Sequence, residues 1–155
     1  MTNYVIRALK KRDLPKLLKL ARAYWKFEKI QGFCPKRYQR LAAKILKNPS
    51  LGNTWIAMEG DRFIGYVVVV LLMSLEYGGM SAEIDELYVD GSKRSRGAGE
   101  ALLKAAVKGL RQKGIVQMSL RVGKSNPEAI RFYKRIGFRT RTEFVVMDRK
   151  GTRGL

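Results

Sequence analysis

Histidine is absent from this sequence and cysteine occurs once, at Cys34. The first absence excludes imidazole-based proton relays and removes the commonest protein metal ligand. With one thiol besides, a zinc site lacks a ligand set, so no metal is expected. A lone cysteine also rules out an internal disulfide, in keeping with a reducing compartment, and Cys34 reads as a partly buried small residue. Proline is scarce, with 4 in 155 residues, and no Pro/Ser tract, internal repeat or low-complexity block marks a linker. No apolar run reaches the roughly 20 residues of a membrane helix. The longest, Phe63 to Leu75, is rich in valine and reads as a buried strand. The opening residues lack the basic-then-apolar layout of a secretory signal, so a cytoplasmic protein with no membrane partner is expected.

Negative charge is short as well: 13 Asp+Glu stand against 32 Lys+Arg, a net charge of +19. A field of that sign raises encounter with polyanions, nucleotide phosphates and nucleic acid alike, without choosing among them. The length suits one domain, taken as residues 1–148, followed by a basic, mobile tail over 149–155.

What is present is a readable alternation of strands and helices. Tyr4 to Ala8 forms a short strand; Asp13 then serves as N-cap and Pro15 lies in the first turn of a helix that runs to about Ile30–Gly32. A second helix, Lys36 to Lys47, turns Tyr38, Leu41, Ala42, Ile45 and Leu46 inward and Lys36, Arg37, Arg40, Lys44 and Lys47 outward. Extended runs Thr54–Glu59 and Arg62–Ser74 flank Gly60-Asp61, a two-residue hairpin signal, and Tyr77-Gly78-Gly79 turns the chain into Ala82–Val89. A helix from Gly97 to about Lys113, capped by Gly114, crosses over to a strand at Ile115–Val122, which implies a parallel pair. Asn126-Pro127 opens a short helix that Gly137 closes, and Arg141–Met147 reads as a last strand.

Between the third strand and the third helix lies Val89-Asp90-Gly91-Ser92-Lys93-Arg94-Ser95-Arg96-Gly97-Ala98-Gly99-Glu100. Gly97 and Gly99 let backbone N–H groups approach an anion closely, the helix start adds the positive end of its dipole, and Lys93, Arg94 and Arg96 add full charges. This is the pattern of a phosphate cradle.

Arg94-x-x-Gly97-x-Gly99 after Ile84-Asp85-Glu86-Leu87-Tyr88-Val89, with Asn126-x-x-Ala129-x-x-Phe132-Tyr133-x-x-x-Gly137-Phe138 downstream, resembles the GNAT superfamily of N-acetyltransferases. Gly91 stands where many relatives have proline and Ser95 where many have glycine. The resemblance implies an α/β fold with a mixed, mostly antiparallel central sheet, a splayed parallel strand pair and flanking helices. It also implies acetyl-coenzyme A as co-substrate. Its pyrophosphate would lie on the loop of Arg94, Ser95, Arg96, Gly97, Ala98 and Gly99, its thioester carbonyl would meet backbone N–H groups of Leu87 and Val89, and Asn126 would touch the pantetheine chain. Tyr133 matches the residue that protonates the departing thiolate in many relatives.

For the amine proton the residues themselves offer Glu83, Asp85 and Glu86 within one strand. Alternation puts Asp85 on the face of Leu87, and a bulge would instead turn Glu86 toward the acceptor. Asp85 falls where polyamine acetyltransferases of the superfamily carry a glutamate; it is one methylene shorter, a gap that a bridging water can span. The implied acceptor is a primary amine. The basic surroundings suit one carried on an acidic peptide or protein. A basic nucleic-acid- or ribosome-associated module and a non-catalytic acyl-coenzyme A binder remain the competing readings, and monomer and homodimer are both open.

Overall fold

The computed structural model describes residues 4–151. Two compact units divide the chain, Met1–Arg121 and Val122–Leu155.

The first unit holds a five-stranded sheet in the order β1 (Val5–Ala8), β2 (Gly52–Glu59), β3 (Arg62–Ser74), β4 (Gly79–Val89) and β5 (Ile115–Leu120). Neighbours β1 to β4 are antiparallel and β4–β5 is parallel. The expected mixed sheet is therefore present. Helices α1 (Leu14–Phe27) and α2 (Pro35–Lys47) cover one face, where Leu17, Leu20, Ala21 and Ala42 pack with Ile56, Phe63, Tyr66 and Val68. Full burial of a leucine such as Leu17 contributes roughly 1.5–3 kcal/mol relative to exposure. Helix α3 (Ala98–Leu110) covers the other face: Leu102 lies against Gly65, and Gly109 lets the Trp55 ring approach so closely that a Cβ there would come within 2.6 Å of it.

Several sequence expectations need correction. Asp13 occupies the cap position of α1, but its carboxylate does not cap that helix; it accepts two bonds from Arg7, at 2.6 and 3.0 Å, and one from Lys10 N–H. α1 stops at Phe27, short of Ile30, because the chain turns through Lys29, with φ of 55°, and Gly32. Leu41 is 49% exposed, since the inward face of α2 is already filled by Tyr38, Ala42 and Ile45. Cys34, at the N-cap of α2, is exposed.

In the second unit, α4 (Pro127–Arg135) begins as expected, with Asn126 Oδ1 accepting from Ala129 N–H at 3.1 Å and Pro127 in the first turn. Gly137 closes it in a left-handed conformation, with Phe138 N–H returning to Tyr133 C=O. Arg141–Met147 is not a strand. Its apolar residues, Val145 among them at 82% exposure, pair with no strand among the described residues, so the alternating pattern has no ladder to join. Of the tail, residues 152–155 lie outside the described residues.

Candidate active site

The parallel pairing of β4 with β5 runs from Met80↔Ile115 to Ile84↔Leu120 and stops there, while β4 continues to Val89 along β3. Beyond Ile84, then, that edge of β4 pairs with no strand among the described residues. Asp90 N–H donates to Ile64 C=O at 2.8 Å. Because successive N–H groups point to opposite sides of a strand, those of Glu86 and Tyr88 turn toward β3 and those of Leu87 and Val89 turn into the open side. The Val89 carbonyl faces the same way and accepts from Arg94 Nε at 3.0 Å.

The loop that follows is shaped by two left-handed residues, Ser95 with φ of 60° and Gly97 with φ of 82°. Gly97 is the N-cap of α3 and brings no side-chain acceptor, so the first-turn N–H groups of Ala98, Gly99 and Glu100 have no capping side chain. That leaves a helix N-terminus open to an anion, with exposed Arg96 beside it. Asp90 accepts from Ser92 N–H at 3.0 Å and Lys93 pairs with Glu59, which fix the first half of the loop. Arg94 lies with its guanidinium 4.2 Å from the centre of the Phe27 ring and 5.6 Å from that of Tyr88, so it ties the loop to α1 as well as to β4.

Registers Val68↔Glu86 and Val69↔Ile84 leave Asp85 without an opposite residue: it is the extra residue of a β-bulge. The bulge overturns simple alternation, so Asp85 does not share a face with Leu87 by counting. Asp85 as a residue is exposed, yet the protein packed about its carboxyl raises its pKa above the usual aspartate value; desolvation is the main cause, Glu83 adds to it, and Arg121 opposes. Glu83 is itself bound to Arg121 at 3.1 Å.

Glu86 sits differently. It is 8% exposed, beneath α1 and α2, and accepts from Trp25 Nε1 at 2.8 Å, Tyr38 OH at 2.6 Å and Tyr66 OH at 2.8 Å. Burial raises its pKa despite those three donors, which pull the other way. Burial and the Glu86 charge together push the Tyr38 phenol well up, so it stays a proton donor. The sequence placed Tyr38 and Trp25 in the core by helical spacing but gave no sign of this clamp, whose members lie 61, 48 and 20 positions from Glu86.

Tyr133 lies on α4 of the second unit, half-buried, with its ring 5.1 Å from Phe132 and 5.7 Å from Phe138. Asn126 caps the same helix. Among the described residues no cluster of side chains suited to a metal occurs, and no helix is long and apolar enough to cross a membrane.

Comparison with known proteins agrees with this architecture. An uncharacterized N-acetyltransferase of Methanocaldococcus jannaschii is 32% identical over 88% of the chain, which spans 61% of that protein's length. A spermidine N(1)-acetyltransferase of Thermoplasma acidophilum is 27% identical, the match covering 86% of the chain and 87% of that protein. An integron cassette protein from the mobile metagenome of Cole Harbour Salt Marsh has the same fold, with a TM-score of 0.82 at 24% identity, covering 95% of the chain and 91% of that structure. The profile of the Acetyltransferase (GNAT) family matches residues 14–138, and the chain belongs to that family.

Proposed function

We propose that this chain is an acetyl-coenzyme A-dependent N-acetyltransferase acting on a primary amine. The observation that carries the reading is the parting of β4 from β5 after Ile84 and Leu120, beside a helix N-terminus that no side chain caps. Acetyl-coenzyme A supplies a thioester whose carbonyl carbon the amine attacks, with loss of the C–S bond. Toward it, the loop from Arg94 to Gly99 offers backbone N–H groups and charge for the pyrophosphate, and Leu87 and Val89 offer N–H groups on the open edge of β4. Preorganised donors of this kind are worth roughly 10²–10³ in rate.

The amine must lose a proton. Asp85 is our candidate to receive it, because it is reachable from solvent and its raised pKa makes it a stronger base than an ordinary aspartate. Glu86, with three donors already on its two oxygens, is the poorer base and the better support, holding α1 and α2 over the bulge. Tyr133 is assigned the proton for the leaving thiolate on family resemblance. Asp85, the exposed carboxylate of β4, favours an ammonium at close range, and one relative of the chain is named for acetylating an amine, spermidine. An amine borne on an acidic peptide or protein suits the chain's net charge of +19 as well.

Thiol release from acetyl-coenzyme A is the direct test, with spermidine, free lysine, and matched acidic and basic lysine peptides as acceptors. Amine-dependent release, with the acetyl group recovered on nitrogen, is expected for at least one. Coenzyme binding with no release for any acceptor would turn the reading to a non-catalytic binder.

A further inference from the structure

Neither α1 nor α2 contains a single acidic residue. On α1, Lys16, Lys19, Arg22 and Lys26 are all exposed; at 100° per residue they fall within an arc of about 120°, opposite the buried Leu14, Leu17, Leu20 and Ala21. On α2, Lys36, Arg37, Arg40, Lys44 and Lys47 are exposed within about 100°, opposite Tyr38, Ala42 and Ile45. Both helices cover one face of the sheet, so both stripes face outward from it. Each stripe is about 15 Å long, and packed helices lie about 8–10 Å apart.

None of these cations joins an ion pair among the described residues. Where their heads have partners, the partners are neutral: Lys16 donates to Asp61 C=O, Arg37 to Gly32 C=O, and Arg22 lies over the Phe33 ring. Among the described residues the charge therefore stays uncompensated. Self-repulsion across such a face costs stability, and the catalytic reading uses none of these residues.

We propose that the outer faces of α1 and α2 form a docking surface for duplex nucleic acid, held through its phosphates. A folded acidic protein presents charges of both signs, whereas a duplex offers about one negative charge per 1.7 Å of its axis and matches a face with no acid in it. The exposed aromatic residue of these two helices, Phe27, ends α1 with the Arg94 guanidinium over its ring, so the stripes offer no row of free rings to stack on unpaired bases, which favours a duplex over a single strand. Leu41 and Phe27, the exposed large apolar residues of the two helices, give little for a bilayer to bury. Contacts from helix sides to phosphates carry no sequence information, so binding is indifferent to base sequence.

Because the whole chain is basic, the test must separate this face from net charge. Full-length protein is titrated into a labelled 20-base-pair DNA duplex by fluorescence anisotropy at several salt concentrations. Two triple variants carry the same charge change: Lys36→Glu/Arg40→Glu/Lys44→Glu on α2, and Lys108→Glu/Arg111→Glu/Lys124→Glu elsewhere. The α2 variant should lose at least about tenfold in affinity near 0.1 M salt and flatten the plot of log K against log salt by about 3, while the control stays close to the parent. Circular dichroism confirms that both are folded. Equal losses in the two variants, tighter binding to a single strand of the same length, displacement by poly-glutamate as effective as by unlabelled duplex, or preferential binding to phosphatidylserine vesicles would each overturn the proposal.

Discussion

The Tyr38 hydroxyl donates to Glu86 Oε2 at 2.6 Å, joining α2 to the bulged end of β4. Trp25 reaches the other oxygen from α1, so one carboxylate spans both helices. Tyr38→Phe removes a bond to a charged acceptor and should lower stability by about 1.5–3 kcal/mol. The Glu86 pKa is raised, so the stability it confers is complete below the ordinary glutamate value of 4.5 and is lost as pH rises through its folded value. Losing the Tyr38 donor raises that folded value further, and the decline should extend to higher pH. Denaturant titrations from pH 4 to 8 on parent and variant measure both effects. A decline over the same pH range in both proteins would remove Tyr38 from the account.

Asp85 gives a second pH signature. A base must be ionised, so kcat/KM should fall as pH drops through a pKa above the ordinary aspartate value of 3.8. Asp85→Asn should abolish that limb and reduce turnover by about 10²–10⁴-fold. Asp85→Glu should keep both the limb and most of the rate. A pH–rate profile of the three proteins decides, and an unchanged profile in Asp85→Asn would move the role to another group.

For Tyr133, replacement by phenylalanine should lower kcat by about 10²–10⁴-fold while leaving coenzyme affinity near that of the parent. Steady-state kinetics paired with calorimetric titration of coenzyme A separates the two. A loss of only about twofold would mean that the thiolate departs without this proton.

Ser95 and Gly97 share a left-handed backbone but not its cost. A side chain there is strained by roughly 1 kcal/mol, so Ser95→Gly should be neutral or stabilising by up to about that amount. Gly97→Glu adds strain, a Cβ about 3.2 Å from Tyr4 Oη and a negative charge at the helix N-terminus, and should weaken coenzyme A binding at least tenfold. Thermal melts and calorimetry are the measurements; full affinity in a folded Gly97→Glu protein refutes the cradle.

Asp13 is 5% exposed and its pKa is lowered, chiefly by the bonds from Arg7. Its contribution is therefore present above pH 3.8 and lost as pH falls through the depressed folded value. Asp13→Asn should cost about 2–3 kcal/mol at neutral pH and less at a pH below the depressed folded value, because both proteins then lack the charge. Equal differences at the two pH values would show that shape, not charge, matters at this site.

The order of strands and helices was legible in the sequence because hydrophobic period, glycine turns and proline starts are local signals. Asn126-Pro127 set the start of α4 and Gly60-Asp61 the first hairpin without reference to anything distant. The loop of Arg94 to Gly99 was legible for the same reason, its glycines and its helix start being neighbours in the chain. Arg141–Met147 shows the limit of such signals: alternation is a necessary condition for a strand, but a strand exists only where another edge accepts its hydrogen bonds.

The surroundings of the carboxylates were decided elsewhere. Asp85 and Glu86 are adjacent and chemically alike, and the sequence put Asp85 first and Glu86 second only on strand alternation and family resemblance. Only the register of β4 against β3 made Asp85 the bulged, exposed residue, and only the packing of α1 and α2 brought Trp25 and Tyr38 onto Glu86. A side chain's proton affinity depends on the water it loses and the donors it meets, and both come from segments far away along the chain. The sequence by itself determined the order of elements from β1 to α4 and the glycine loop before α3; the tertiary structure decided that 141–147 forms no strand, which acid is exposed and which is clamped.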